Sequence, residues 1–122
     1  MSHIVTIKCE IRDPVALAAA CTKLGLPPPR HGTARLYASE ATGQIVELSG
    51  WTYPVVIDTE QRQTSFDNYG GAWGDAKELD NLLQAYAVCK ASLEGRKAGH
   101  SVTEKTLADG SIKLTVQVAG GA

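Results

Sequence analysis

Three histidines, three cysteines, scattered serines and carboxylates, and a glycine-rich run holding one of the two tryptophans are the residues of this chain able to do chemistry. A protein metal site needs His or Cys at short fixed offsets, such as HxxxH or HxH. His3, His31 and His100 fall on a strand start, a loop and the region past a helix, so surface histidines and no metal are expected. Met1-Ser2-His3 resembles an amino-terminal copper or nickel chelate, but serine in second place favours removal of the initiator methionine, and the geometry goes with it. A nucleophilic cysteine needs a lowered pKa from a histidine or a helix N-terminus. Cys9 on a strand's inner face, Cys21 late in one helix and Cys89 within another have neither and are expected to be buried thiols. Ser39, Ser49 and Ser65 lie in turns without a GxSxG elbow. No catalytic residue and no cofactor is expected.

The run Tyr69-Gly70-Gly71-Ala72-Trp73-Gly74-Asp75 precedes a helix, as phosphate loops do. Asp75 at the cap would repel a phosphate, and neither the Walker lysine nor GxGxxG is present. The aromatic residues suit binding better. Trp51, Tyr53, Tyr69 and Trp73 are expected to bracket the middle of the sheet, and amphipathic rings of this kind anchor interfaces. The alternative is that they cap the open end of a small core.

The elements that must position these residues follow from local patterning. His3 to Ile11 alternates with period two, which predicts a half-buried strand. Asp13-Pro14 supplies an N-cap and first-turn proline for a helix with Val15, Leu17, Ala18, Cys21 and Leu24 on its apolar side, stopped by Gly25. Pro27-Pro28-Pro29, with Arg30, His31, Gly32 and Thr33, is an extended connection into a strand near Ala34 to Ala38. Thr42-Gly43 fits a turn, Gln44 to Leu48 and Tyr53 to Ile57 read as strands, and Asp58 to Ser65 reads as a loop. Asp75, with Glu78 three residues on, opens a second helix whose stripe is Leu79, Leu82, Leu83, Tyr86, Ala87 and Leu93, ended by Gly95 or Gly99. Asp109-Gly110 between Val102 to Leu107 and Ser111 to Val118 is a hairpin signal. The expected fold class is α+β, an antiparallel sheet with two helices on one face in the order β-α-β-β-β-α-β-β. It forms one domain over 1–119 with a frayed tail at 120–122.

Composition excludes several functions. The 122 residues carry a net charge of −1 with both signs interspersed, which argues against nucleic acid as a partner. No apolar run approaches the roughly 20 residues needed to span a bilayer. No cationic segment leads into an apolar stretch, so a cytoplasmic protein with reduced thiols and no membrane partner is expected.

Several segments also have a familiar look: Met1-Ser2-His3-Ile4 with Ile7-Lys8 and Asp13, Tyr53-Pro54-Val55-Val56-Ile57-Asp58, Gln84-Ala85-Tyr86-Ala87, and Asp109-Gly110-Ser111-Ile112-Lys113-Leu114. Together they resemble the hypothetical chloroplast reading frame thirty-five family, small cyanobacterial and plastid proteins sharing a domain of unknown function. The resemblance runs along nearly the whole chain, with Pro27–Pro29 and Asn68–Gly74 departing from the pattern. It implies the fold and the compartment, and it brings no catalytic residues.

Two functions remain. One is a non-catalytic module that binds a protein partner or self-associates through a sheet edge or the region of Trp51 and Trp73. The other is a small-molecule binder or weak enzyme, its pocket between sheet and helices lined by Tyr53, Tyr69, Trp73 and Tyr86 with Asp58 and Asp67 as polar contacts.

Overall fold

A computed structural model describes residues 5–8, 11–108 and 112–117. His3, Cys9, the Asp109-Gly110 turn and the C-terminal tail lie outside them. In chain order the elements are β1 (Val5–Lys8), α1 (Pro14–Lys23), β2 (Arg30–Arg35), β3 (Glu40–Val46), β4 (Val55–Asp58), β5 (Gln63–Phe66), a 3-10 turn (Tyr69–Gly71), α2 (Ala76–Lys97), β6 (Ser101–Thr106) and β7 (Ile112–Gln117). The first five strands form one antiparallel sheet in the order β1-β5-β4-β3-β2, and β6 and β7 pair as a separate hairpin. The architecture is α+β, with α1 carrying the chain from one sheet edge to the other.

Both helices cover the same sheet face. Val46, Val55, Ile57 and Phe66 point into a core with Leu17, Ala20 and Cys21 of α1 and Leu79, Leu82 and Ala85 of α2. Each helix begins where a side-chain oxygen meets its free N–H groups. Asp13 accepts from Val15 and Ala16, and Asp75 accepts from Lys77. Gly25 and Gly99, at φ +70 and +84, follow the two helix ends in the left-handed region. The Tyr86 hydroxyl accepts from Arg12 and Asp13 N–H at 3.2 and 3.1 Å, which locks the start of α1 onto α2. The β6–β7 hairpin lies against α2, and a Lys23–Glu104 ion pair ties it to α1.

The structure departs from the expected elements in four places. Gln63–Phe66, its first three residues expected as loop, is a strand between β4 and β1 with Thr64 and Phe66 buried. The order therefore gains a strand after β4. Arg30 to Thr33, expected as connection, pair with β3 as the start of β2, Thr42-Gly43 lies within β3, and the chain reverses at Leu36–Ser39, inside the strand expected near Ala34 to Ala38. On α1 the buried residues are Ala16, Leu17, Ala20 and Cys21, while Val15 and Leu24 are exposed. On α2, Ala85 is buried and Ala87 exposed, and Gly95 continues the helix.

Gly43 explains the largest of these differences. A Cβ there would sit 2.6 Å from the Ile57 carbonyl oxygen, so the close approach of β4 requires glycine. Gly32 stands opposite it on β2. Beyond this pair the hairpin curls over the sheet face that the helices leave uncovered, where Ala34 and Ala41 pack on Ile45 and Val56. Tyr37 at the hairpin end and Tyr53 ahead of β4 would lie at opposite ends of a straight β3, roughly 20 Å apart at about 3.3 Å per residue. Their ring centroids are 6.4 Å apart.

Candidate functional site

The segment after β5 folds on itself through its polar residues. Asp67 Oδ1 accepts from Tyr69 N–H at 3.1 Å, and the Asn68 carbonyl accepts from Gly71 and Trp73 N–H at 3.0 and 2.9 Å. Asn68 Nδ2 donates to the Gly74 carbonyl at 3.2 Å. Between them Tyr69, Gly70 and Gly71 adopt φ +48, +62 and +107, a left-handed stretch that favours glycine. This tight path brings Tyr69 and Trp73 together as a stack, with centroids 4.8 Å apart and planes 23° apart.

Two other segments complete the cluster. Thr52 N–H donates to the Trp73 carbonyl at 2.8 Å, which stitches the β3–β4 connection to the glycine loop. Tyr53 then meets Trp73 edge-on at 5.5 Å and 65°. The curled β2–β3 hairpin delivers Tyr37 to 5.1 Å from Trp73. Tyr37 and Tyr69 keep 52% and 41% of their surface exposed, so the cluster opens to solvent. Among the described residues, Tyr37 Oη, Tyr53 Oη and Trp73 Nε1 have no hydrogen-bond partner.

Of the four residues nominated from sequence, Tyr53, Tyr69 and Trp73 come together and Trp51 does not. The Trp51 ring packs on Phe66 at 5.6 Å and against the buried core. Its Nε1 donates to the Asp75 carbonyl at 3.0 Å. Gly74 lies against the indole so closely that a Cβ would fall 2.3 Å from it. Tyr37 is the member that sequence reasoning missed, because it was placed inside a strand. The available signal was a glycine on either side of it, Gly32 and Gly43, able to bend both strands of one hairpin.

The pocket expected between sheet and helices does not form from its six residues. Tyr86 is buried on the helix side with its hydroxyl engaged by α1. Asp58 Oδ1 accepts from Glu60 and Gln61 N–H and shapes the β4–β5 turn. Asp67 is 1% exposed, and its Oδ2 is unpartnered among the described residues. A groove of about 580 Å³ does exist beside Tyr86, lined by Ile11, Arg12, Leu83, Ala87 and Lys90, but none of the cluster residues borders it.

Of the remaining polar groups, His31, Thr42, Gln44, Asp58, Thr59 and Glu60 line a second, smaller cavity of about 330 Å³, and the cysteines stand apart from it. Cys21 is buried, and burial pushes its thiol pKa up. Cys89 is also raised, chiefly by burial and further by Glu104, against an opposing effect of Lys23. Both therefore rest as thiols at neutral pH. His31 lies exposed on β2, and His100 follows α2. Among the described residues no three His, Cys, Asp or Glu side chains converge on a possible metal position, and no helix is long and apolar enough to cross a membrane. What the cluster offers chemically is stacking faces with open O–H and N–H donors between them. No family model, no curated protein and no solved structure matches this chain.

Proposed function

We propose that this protein is a non-catalytic binding and assembly module, cytoplasmic, that holds a protein partner, in the first place a second copy of itself, on Tyr37, Tyr53, Tyr69 and Trp73. The observation carrying this reading is four clustered rings, two of them largely exposed, with three of their polar atoms unpaired. Tyr37 Oη, Tyr53 Oη and Trp73 Nε1 are not among the buried unpartnered atoms and so face solvent, and amphipathic aromatic clusters with open donors anchor interfaces. The area is modest. Two exposed rings and two partly buried ones present roughly 300 Å², below the about 800 Å² per partner of a standard interface, so the contact is an anchor for weak, concentration-dependent association. Membership of the chloroplast reading frame family belongs to the same proposal and rests on the segments quoted for it.

Sedimentation velocity over a concentration series, with wild type beside Trp73→Ala, tests the reading. Wild-type mass should rise with concentration, and the variant should stay monomeric. Identical behaviour of the two proteins overturns it. The groove beside Tyr86 favours a second reading, an apolar small-molecule site with Arg12 and Lys90 at its rim. Native mass spectrometry would find a stoichiometric adduct on a monomer if that reading holds.

A further inference from the structure

Resting on the second reading above, that of an apolar small-molecule site, we infer that the groove beside Tyr86 takes a monocarboxylate with an apolar body. The groove lies between the residues leading into α1 and one face of α2, and its volume is about 580 Å³. Small-ligand sites span roughly 300–1,000 Å³ and are mostly apolar with a few placed polar groups. The apolar lining here is Ile11, Leu83, Ala87 and Ala91. Leu83, Ala87 and Ala91 follow one another at four-residue spacing along α2, and alanine at two of the three positions keeps the groove open.

The polar side chains of the lining are all donors. Tyr86 is only 6% exposed, and its oxygen accepts the Arg12 and Asp13 N–H groups at 3.2 and 3.1 Å. Both lone pairs are thereby occupied, so the hydroxyl can only donate. Its proton has no acceptor among the described residues. The two accepted bonds also strengthen the O–H as a donor. Arg12 is exposed, and its guanidinium has no ion-pair partner among the described residues. Lys90 bonds Asp13 Oδ2 at 3.0 Å and Glu94 Oε1 at 2.8 Å, so its charge is already matched. Among the described residues no carboxylate lines the groove.

This donor set selects the occupant. A neutral apolar molecule would leave the Tyr86 proton and the Arg12 charge unanswered, and an ammonium would meet two cations. A sugar or an amide brings donors of its own, for which the lining side chains hold no free acceptor. A carboxylate brings acceptors alone, and its single charge equals that of the one unpaired cation. A phosphate monoester would bring about 1.5 to 2 negative charges at neutral pH. Arginine pairs with a carboxylate through two parallel N–H bonds, and a carboxylate oxygen keeps a further lone pair for the Tyr86 O–H. Away from these donors the lining is aliphatic, so the body of the ligand is apolar.

Amide-resolved NMR titration with sodium octanoate at neutral pH tests this assignment. The Arg12 and Asp13 signals should shift and saturate, because their N–H groups bond the oxygen that the carboxylate engages. Octylammonium should leave them in place. Arg12→Gln keeps the bond to Tyr86, which uses the backbone N–H, and removes only the charge. Tyr86→Phe keeps the ring and removes the hydroxyl. Each should weaken octanoate binding at least about tenfold, the effect of losing one charge-assisted hydrogen bond. If Tyr86→Phe fails to fold, Arg12→Gln decides alone. If 1-octanol binds wild type as tightly as octanoate and Arg12→Gln changes neither, the carboxylate assignment fails and the apolar-site reading stands. If none of the three probes shifts the Arg12 and Asp13 signals, both fail.

Discussion

Trp51 and Trp73 stand at the two sides of one backbone hydrogen bond, Thr52 N–H to the Trp73 carbonyl, and end in opposite surroundings. Trp51 turns to the face covered by the helices. Its ring is held by Phe66 and the Gly74 backbone, and its N–H is satisfied by the Asp75 carbonyl. Trp73 joins Tyr37 and Tyr53, whose hydroxyls have no partner among the described residues, and its own N–H is open. Residue type is the same for both. What separates a structural tryptophan from a binding one is whether its polar atom is already used.

The largest expected effect tests that separation directly. Trp51→Ala removes a ring fitted between Phe66 and Gly74 and should cost about 3 kcal/mol or more of stability. Its association per folded molecule should stay normal. Trp73→Ala loses edge and stacking contacts among partly exposed rings and should cost about 1 kcal/mol, yet abolish association. Urea unfolding beside sedimentation measures both. Equal stability losses for the two variants would erase the distinction.

A smaller effect concerns how the uncovered face is built. Gly43→Ala places a Cβ against the Ile57 carbonyl, and backbone cannot move aside as a side chain can. A loss of about 1–3 kcal/mol is expected. Trp73 emission should also change as the hairpin lifts Tyr37 away. Gly32→Ala is the control, since its Cβ would lie 3.5 Å from Ile45 Cδ1, an ordinary contact. It should stay within about 0.5 kcal/mol. Equal effects at the two glycines would mean that the curl does not depend on the approach of β4.

The parts of this fold legible in the sequence are those governed by neighbours in the chain. Asp13 and Asp75 were readable as caps because a cap needs only its own side chain and the next few N–H groups. The β6–β7 pairing followed from two alternating runs. Gln63–Phe66 was not readable, because a polar run with one aromatic looks like loop until β4 and β1 pair on either side of it. Thr42-Gly43 looked like turn chemistry, whereas Gly43 answers to β4, a strand still to come in the chain. The cluster divides in the same way. Tyr69 and Trp73 were visible within one glycine-rich loop, but Tyr37 joins only through a bend created by distant packing, and the fate of Trp51 depended on a core that spacing does not show.

The smallest expected effect lies on the helix-covered face and asks whether the two faces are independent. Asp13 caps α1 with one carboxylate oxygen and accepts from Lys90 Nζ at 3.0 Å with the other. The Lys90 hydrogen bond is the main cause holding its pKa below the ordinary 3.8; burial opposes it, and the Val15 and Ala16 N–H groups add to it. A carboxylate whose folded pKa is lowered contributes stability that is fully present above its unfolded value and is lost as pH falls through the folded one. Asp13→Ala should therefore cost about 1 kcal/mol at neutral pH and flatten the acid limb of the stability profile below pH 3.8. Asp13→Asn keeps the cap oxygen but loses the ionic partner, so it should show a smaller loss and the same flattening. Lys90, whose pKa is raised by Glu94 first and Asp13 second, adds the opposite limb: its contribution is complete below its ordinary 10.5 and disappears as pH rises beyond it. None of these groups belongs to the ring cluster, so association per folded molecule should not change in either Asp13 variant. A change there would show that the start of α1 and the uncovered face move together, and the contrast between the two tryptophans would then reflect one coupled unit in place of two separate surfaces.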